Sequence, residues 1–316
     1  KKIQMNEGVC PAYSDCRMGL SPDKFILSYC DRALSITSAE EQPVLPKGNN
    51  LSLHLLELFT SQVAKVGMTD GIRQVLQEES DALRAYYEQA GILIARPAGG
   101  TSCRLAISAK GGTNAENHNH NDVGSYAVAL GSETMVGDQG GPNSYPGDYF
   151  NGDAPQKYKI KGSFGHPVPV VDGRTQSSGG KAKGVVLQKE FTNEKDVFSI
   201  DYTSAYSTPN LDKLIRTFVY DRQGEGNFTV GDEFTAKTPI RFETAITTRA
   251  DWKILDDTHL LLATDSEQMI VAIEASGKVA FTSETIEVNS PAYTRIGIAL
   301  KNQSKEGYIR LKMYTK

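Results

Sequence analysis

The sequence predicts a mainly β, antiparallel protein preceded by a short α-helical segment. Three observations carry that expectation. Strand-like runs follow one another at short intervals after Gly173, turns rich in Gly, Asp and Asn separate them, and the first part of the chain instead places apolar residues at helical spacing. Hydrophobic residues make up 39% of 316 positions, enough for a sizeable core. A net charge of −4 without a basic tract gives no support for a nucleic-acid role. No stretch approaches the roughly 18 apolar residues of a membrane span.

Residues 22–34 read as a helix, with Ser21 as cap and Pro22 at its first position. A second runs over 50–66 and a third over 70–84, and the segment 42–49, with Pro43, Pro46 and Gly48, is the loop between the first two. Tyr126-Ala127-Val128-Ala129-Leu130 and Glu133-Thr134-Met135-Val136 form two strands joined at Gly131-Ser132. Further strands are expected at 197–202, 213–220, 227–230, 240–246, 260–263, 269–273, 294–300 and 308–313.

The chemistry concentrates in Glu116-Asn117-His118-Asn119-His120-Asn121-Asp122, which holds two of only five histidines. If this run continues as a strand, His118 and His120 share one face, with Cα atoms roughly 6.6–7 Å apart. They can then share a metal, or one can bind metal while the other faces a cleft. The spacing does not choose between these, and the asparagines and Asp122 also suit ordinary turns. A structural zinc needs about four N, S or O donors at roughly 2.0–2.3 Å, so further ligands must come from elsewhere. Asp138, in Gly137-Asp138-Gln139-Gly140-Gly141, and His166, in Gly165-His166-Pro167, are the candidates.

The run His118-x-His120-x-Asp122-x-x-Ser125, the hairpin ending in Gly137-Asp138-Gln139-Gly140, the Tyr145 and Tyr149 region, and Gly165-His166-x-Val168-Pro169-x-Val171-Asp172-Gly173 together resemble the heparinase II/III-like polysaccharide lyases. The motifs occur in the family's order. The resemblance covers residues 91–316 closely and 1–90 more loosely. It implies a large antiparallel β-sandwich over 91–316, with 1–90 the remnant of an α/α toroid too short to close, and a polymer groove between the two. It also implies that His118 is the catalytic histidine and that His120, Asp138 and His166 hold a zinc ion. The implied reaction is β-elimination at a uronic acid, with an anionic uronate-containing polysaccharide, such as a glycosaminoglycan, alginate or ulvan-like polymer, as partner. Location would be periplasmic or secreted.

Asn117, Tyr145, Tyr149 and Arg174 are candidate substrate contacts, with Arg104, Tyr13 and Tyr158 behind them; a tyrosine with a satisfied hydroxyl is also an ordinary packing residue, and an arginine fork suits a carboxylate. His54 reads as a helix-face residue and His259 as a solvated turn residue. Cys10, Cys16, Cys30 and Cys103 form no CxxC pair, although a disulfide among the first three is open. Because the chain begins Lys1-Lys2, either a leader and upstream domain have been removed or the chain was cut. Two other functions compete: a non-catalytic uronate-binding sandwich, and a metal-dependent hydrolase that releases saturated sugars.

Overall fold

Leu105-Ala106-Ile107-Ser108-Ala109-Lys110 and Tyr126-Ala127-Val128-Ala129-Leu130 alternate large with small residues rather than apolar with polar, and all eleven are buried. That pattern belongs to strands covered on both faces. In the computed structural model, which describes residues 4–6, 9–13, 16, 83–287 and 291–316, Leu105, Ile107, Ala109, Tyr126, Val128 and Leu130 point into the main core, while Ala106, Ala127 and Ala129 pack against Met5 and Val9 of the N-terminal segment. The helices expected at 22–34 and 50–66 and residues 70–82 of the third lie outside the described residues. Arg84, expected at the end of that third helix, opens a strand.

The strands in chain order are β1 (Arg84–Tyr87), β2 (Ile92–Ala95), β3 (Leu105–Lys110), β4 (Thr113–Asn114), β5 (Tyr126–Leu130), β6 (Glu133–Val136), β7 (Val170–Val171), β8 (Gly179–Lys183), β9 (Val185–Phe191) and β10 (Lys195–Asp201). They continue with β11 (Leu211–Asp221), β12 (Asn227–Ile240), β13 (Phe242–Thr248), β14 (Asp251–Asp256), β15 (His259–Ala263), β16 (Gln268–Ala275), β17 (Val279–Ile286), β18 (Tyr293–Leu300) and β19 (Ser304–Thr315). One short helix, α1 (Ala154–Lys157), stands in the long connection between β6 and β7.

The strands form antiparallel sheets in the orders β1-β2-β3-β5-β6, β14-β15-β16-β19-β12-β11-β10-β9 and β17-β18-β13-β7, with a small β4-β8 pair. Inward residues of all three large sheets meet in one core, among them Ile107 and Val128, Phe218 and Leu311, and Ile246 and Ile298. Phe218 stacks between Phe198 and Phe228, with ring centroids 5.9 and 6.2 Å away. The opposite face of the eight-stranded sheet is solvated, and there Arg310 pairs with Glu233 and Glu274 across neighbouring strands. The fold is the expected antiparallel β-sandwich.

The strand expected through the histidine run is absent. Residues 115–125 form an irregular loop between β4 and β5, and His118 sits at φ 56°, in the left-handed region. The polar side chains compete with a sheet ladder for backbone partners. Asn114 accepts from the Asp122 amide at 3.1 Å, and Gln176 accepts from the Val123 amide at 3.1 Å while donating to the Val123 carbonyl at 2.7 Å. As a result His118 is exposed and His120 is buried, not side by side on one face.

Candidate functional site

Three loops converge on one buried point. His120 comes from the β4–β5 loop, Asp138 follows β6, and His166 lies just before β7; all three are buried, with ligand atoms within 4.8 Å of one another. His166 Nδ1 lies 2.8 Å from Asp138 Oδ2, which also accepts from Ser125 Oγ at 3.1 Å, and the Gly140 amide donates to Oδ1 at 3.0 Å. His120 Nε2 meets the Tyr149 hydroxyl at 3.0 Å. With the proton on Nε2 donated to Tyr149, the Nδ1 lone pair of His120 is left to serve a metal, and a partner on the second ring nitrogen is what a metal-binding histidine needs.

The electrostatics follow from burial and proximity. Burial opposes ionisation of Asp138, but the charge and hydrogen bond of His166, aided by His120 and the Gly140 amide, hold its carboxyl below the ordinary range. Burial works against the charged form of His166 too, and Asp138 outweighs it, so His166 is raised. His166 Nε2 is buried with no hydrogen-bond partner among the described residues, as is Asp122 Oδ2. Two imidazoles and a carboxylate suit zinc, and the unsatisfied Nε2 belongs to one of those imidazoles, His166. His120, Asp138 and His166 would hold the ion, which would supply a fixed positive charge there.

Around the triad lies a second buried set. Lys110 Nζ pairs with Asp122 Oδ1 at 2.6 Å, Lys161 Nζ donates to the Tyr149 carbonyl at 2.7 Å, and the Tyr13 hydroxyl meets Ser108 Oγ at 2.7 Å. Burial pushes the Tyr13 hydroxyl well above its ordinary pKa, with Asp138 and Asp122 acting in the same direction. Of these residues only Asp122, Ser125, Tyr13 and Tyr149 stand out in the sequence. Lys110 closes an apolar strand and carries no motif signal.

The candidate substrate contacts separate by exposure. Tyr145 is 41% exposed, while Tyr149, also expected to contact the sugar, is buried with its hydroxyl on His120. The exposed ring in this area that sequence reasoning missed is Phe150, 53% exposed, 5.1 Å from the His118 ring and 5.0 Å from Tyr145. Asn117 is exposed beside His118, and Arg174 is exposed in the turn that bridges back to Val171. Arg104 is held in an ion pair with Glu267, and Tyr158 donates to Asp148. Cys10 and Cys103 are in no disulfide, and Cys30 lies outside the described residues.

A crystal structure of heparinase III matches all of this chain at 12% identity and a TM-score of 0.67, with 45% of that structure covered. The chain has the heparinase III fold. The heparan sulfate lyase HepC from Pedobacter heparinus shares that fold with this chain at 12% identity and a TM-score of 0.67, again over 100% of this chain and 45% of the other. Another heparinase III structure gives 15% identity and a TM-score of 0.64 over 99% and 46%. The chain therefore spans under half the length of the structures it matches. No family model and no curated protein sequence matches it. No helix among the described residues is long and apolar enough to cross a membrane.

Proposed function

We propose that this chain is the β-sandwich part of a polysaccharide lyase that cleaves a uronic-acid-containing polysaccharide by β-elimination, with zinc held by His120, Asp138 and His166. The observation that carries it is a buried triad of zinc-type donors, one of them two residues from an exposed histidine, on the heparinase III fold. In this reading the helical part of residues 1–90 is the end of a toroid, while β1 (Arg84–Tyr87) already belongs with 91–316 to the sandwich. The heparan sulfate named for HepC puts sulfated glycosaminoglycan among the first substrates to try.

β-Elimination removes the proton on C5 of the uronate, breaks the C4–oxygen bond and leaves a C4–C5 double bond, while the departing oxygen takes up a proton. His118 sits where it can move one of those protons or donate a hydrogen bond to the charge that develops on the carboxylate side. Its left-handed backbone and its edge-to-face contact with Phe150 fix the imidazole at the surface rather than in the core. Asn117 and Tyr145, exposed nearby, are positioned to contact the polymer, and Arg174 offers a fork for a carboxylate. Zinc, when bound, supplies fixed positive charge under a surface that must accept a polyanion. A substrate too large to enter a cell places the protein in the periplasm or outside.

The test is to incubate the chain with heparan sulfate, alginate, polyglucuronate and ulvan and follow the ultraviolet absorbance of unsaturated uronate. Product that disappears in His118→Ala supports the lyase. Because the chain covers 45% of the heparinase III structure, a second reading has a specific basis: a sandwich that binds uronate polymer without cleaving it. Saturable binding with no product from this chain, or from a longer one carrying more helices, would favour that reading. Saturated products lost on chelation would instead mark a hydrolase.

A further inference from the structure

The structure assigns to Arg216 a role as positioning residue for the metal site: its guanidinium fixes the separation of the two loops that carry His120 and His166. The inference rests on the zinc reading of the triad for its purpose, and on hydrogen-bond geometry for its mechanism.

Arg216 lies on β11 with its side chain fully buried. Nε and Nη2 fork onto the two oxygens of Asp232 at 2.7 and 2.6 Å, and Nη2 also reaches Thr244 Oγ1 at 3.1 Å. Nη1 donates to two backbone carbonyls, Gly124 and Pro167, each at 2.7 Å. All five N–H donors are thereby used. Gly124 is four residues after His120 and Pro167 is the residue after His166, so one nitrogen grips both ligand loops. The two imidazole centroids lie 5.3 Å apart.

Asp138 is held separately, through β13. Thr247, three residues along β13 from Thr244, donates to the Gly137 carbonyl at 2.6 Å and accepts from the Gly137 amide at 3.0 Å through its own carbonyl. Asp232 is completed by Tyr202 at 2.6 Å and Thr244 at 2.7 Å. Thus each ligand has a neighbouring backbone carbonyl fixed by a buried side chain, and two of the three depend on Arg216. For stability alone, a buried ion pair has no general advantage over apolar packing of similar volume. Its planar fork, which lysine lacks, is what allows one side chain to hold a carboxylate and two carbonyls at once.

The test compares Arg216→Lys with Tyr202→Phe, which removes a hydrogen bond from the same cluster without touching either loop carbonyl. Zinc affinity is measured by competition with a chromophoric chelator, amide hydrogen exchange is followed over residues 116–124 and 163–169, and melting temperature is recorded. Arg216→Lys should weaken zinc binding about tenfold or more and speed exchange in both loops, with β15 and β16 protected as in the wild type. Tyr202→Phe should lower the melting temperature with zinc affinity and loop exchange kept. If Arg216→Lys does not fold, Arg216→Met combined with Asp232→Leu removes both charges together and should give the same zinc and loop phenotype. Wild-type zinc affinity with protected loops in a folded Arg216 variant would overturn the assignment, as would equal zinc loss in Tyr202→Phe. A wild-type protein that takes up no zinc, but whose loops still loosen in Arg216→Lys, would sink the zinc reading while supporting the positioning role.

Discussion

His118 and His120 differ by two positions and by everything that matters chemically: one is exposed at a left-handed backbone, the other buried against Tyr149. Their substitution effects should therefore diverge. His118→Ala acts at an exposed side chain and should leave the melting temperature within about 1 °C of wild type, as for surface changes generally. His166→Ala should lower zinc content and stability together. At free zinc of about 100 times Kd, binding contributes about 2.7 kcal/mol, which for a chain of this size is a shift on the order of 5 °C. Metal analysis and calorimetry on both variants check this, and His166→Ala with unchanged zinc and melting would remove His166 from the site. His120, Asp138 and His166 were legible because histidines beside glycine-rich turns are rare in this chain. Lys110 and Arg216 were not, since a basic residue in an apolar strand gives no sign, from sequence, of the carboxylate that will meet it across the sheet.

Among the elements, strands whose inner face alternates with a solvated outer face, such as β11 and β19, were visible in the sequence. Those it did not reveal are largely edges: β1, β9, β14 and β17 each end a sheet in the observed order. Edge strands carry Lys, Glu and Gln where a central strand would carry apolar residues, so β9, with Gln188, Lys189 and Glu190, loses its period of two. At the β14–β15 turn, the expectation of a solvated His259 fits: Asp256 accepts from the Thr258 amide at 2.7 Å and meets His259 Nδ1 at 3.0 Å. The Thr258 amide first, then His259 and the Thr258 hydroxyl, lower the Asp256 pKa to about 2 from the ordinary 3.8. A lowered carboxylate stabilises the folded state above its unfolded pKa and loses that contribution as pH falls towards the folded value. The melting advantage of wild type over Asp256→Ala should thus be full at about pH 5 and shrink as pH falls to about 3. A gap that widens on acidification would contradict the assignment. In the five-stranded sheet, Ala127→Leu should cost about 1–3 kcal/mol by overpacking against Met5 and Val9, read as earlier proteolysis of the N-terminal segment.

At the scale of the whole sandwich, the triad and the core are separate sources of cohesion. One hydrophobic core draws on all three large sheets, whereas His120, Asp138 and His166 sit on loops between strands. A metal held by those three would cross-link loops, not sheets. Two buried ion pairs, Lys110 with Asp122 and Arg216 with Asp232, keep the surrounding loops in place independently of any ion. The expected behaviour therefore differs from that of small zinc domains, which unfold without metal. Chelation should lower the melting temperature and increase exchange in the loops carrying the ligands, yet leave the far-ultraviolet circular dichroism of the strands intact at 25 °C. The near-ultraviolet signal should change, because Tyr149 is packed between His120 and the rings of Tyr145, Phe150 and Tyr158. Loss of strand signal on chelation would show that the ion, rather than the shared core, holds the sheets together. An unchanged melting temperature would show that the three donors bind no metal in solution.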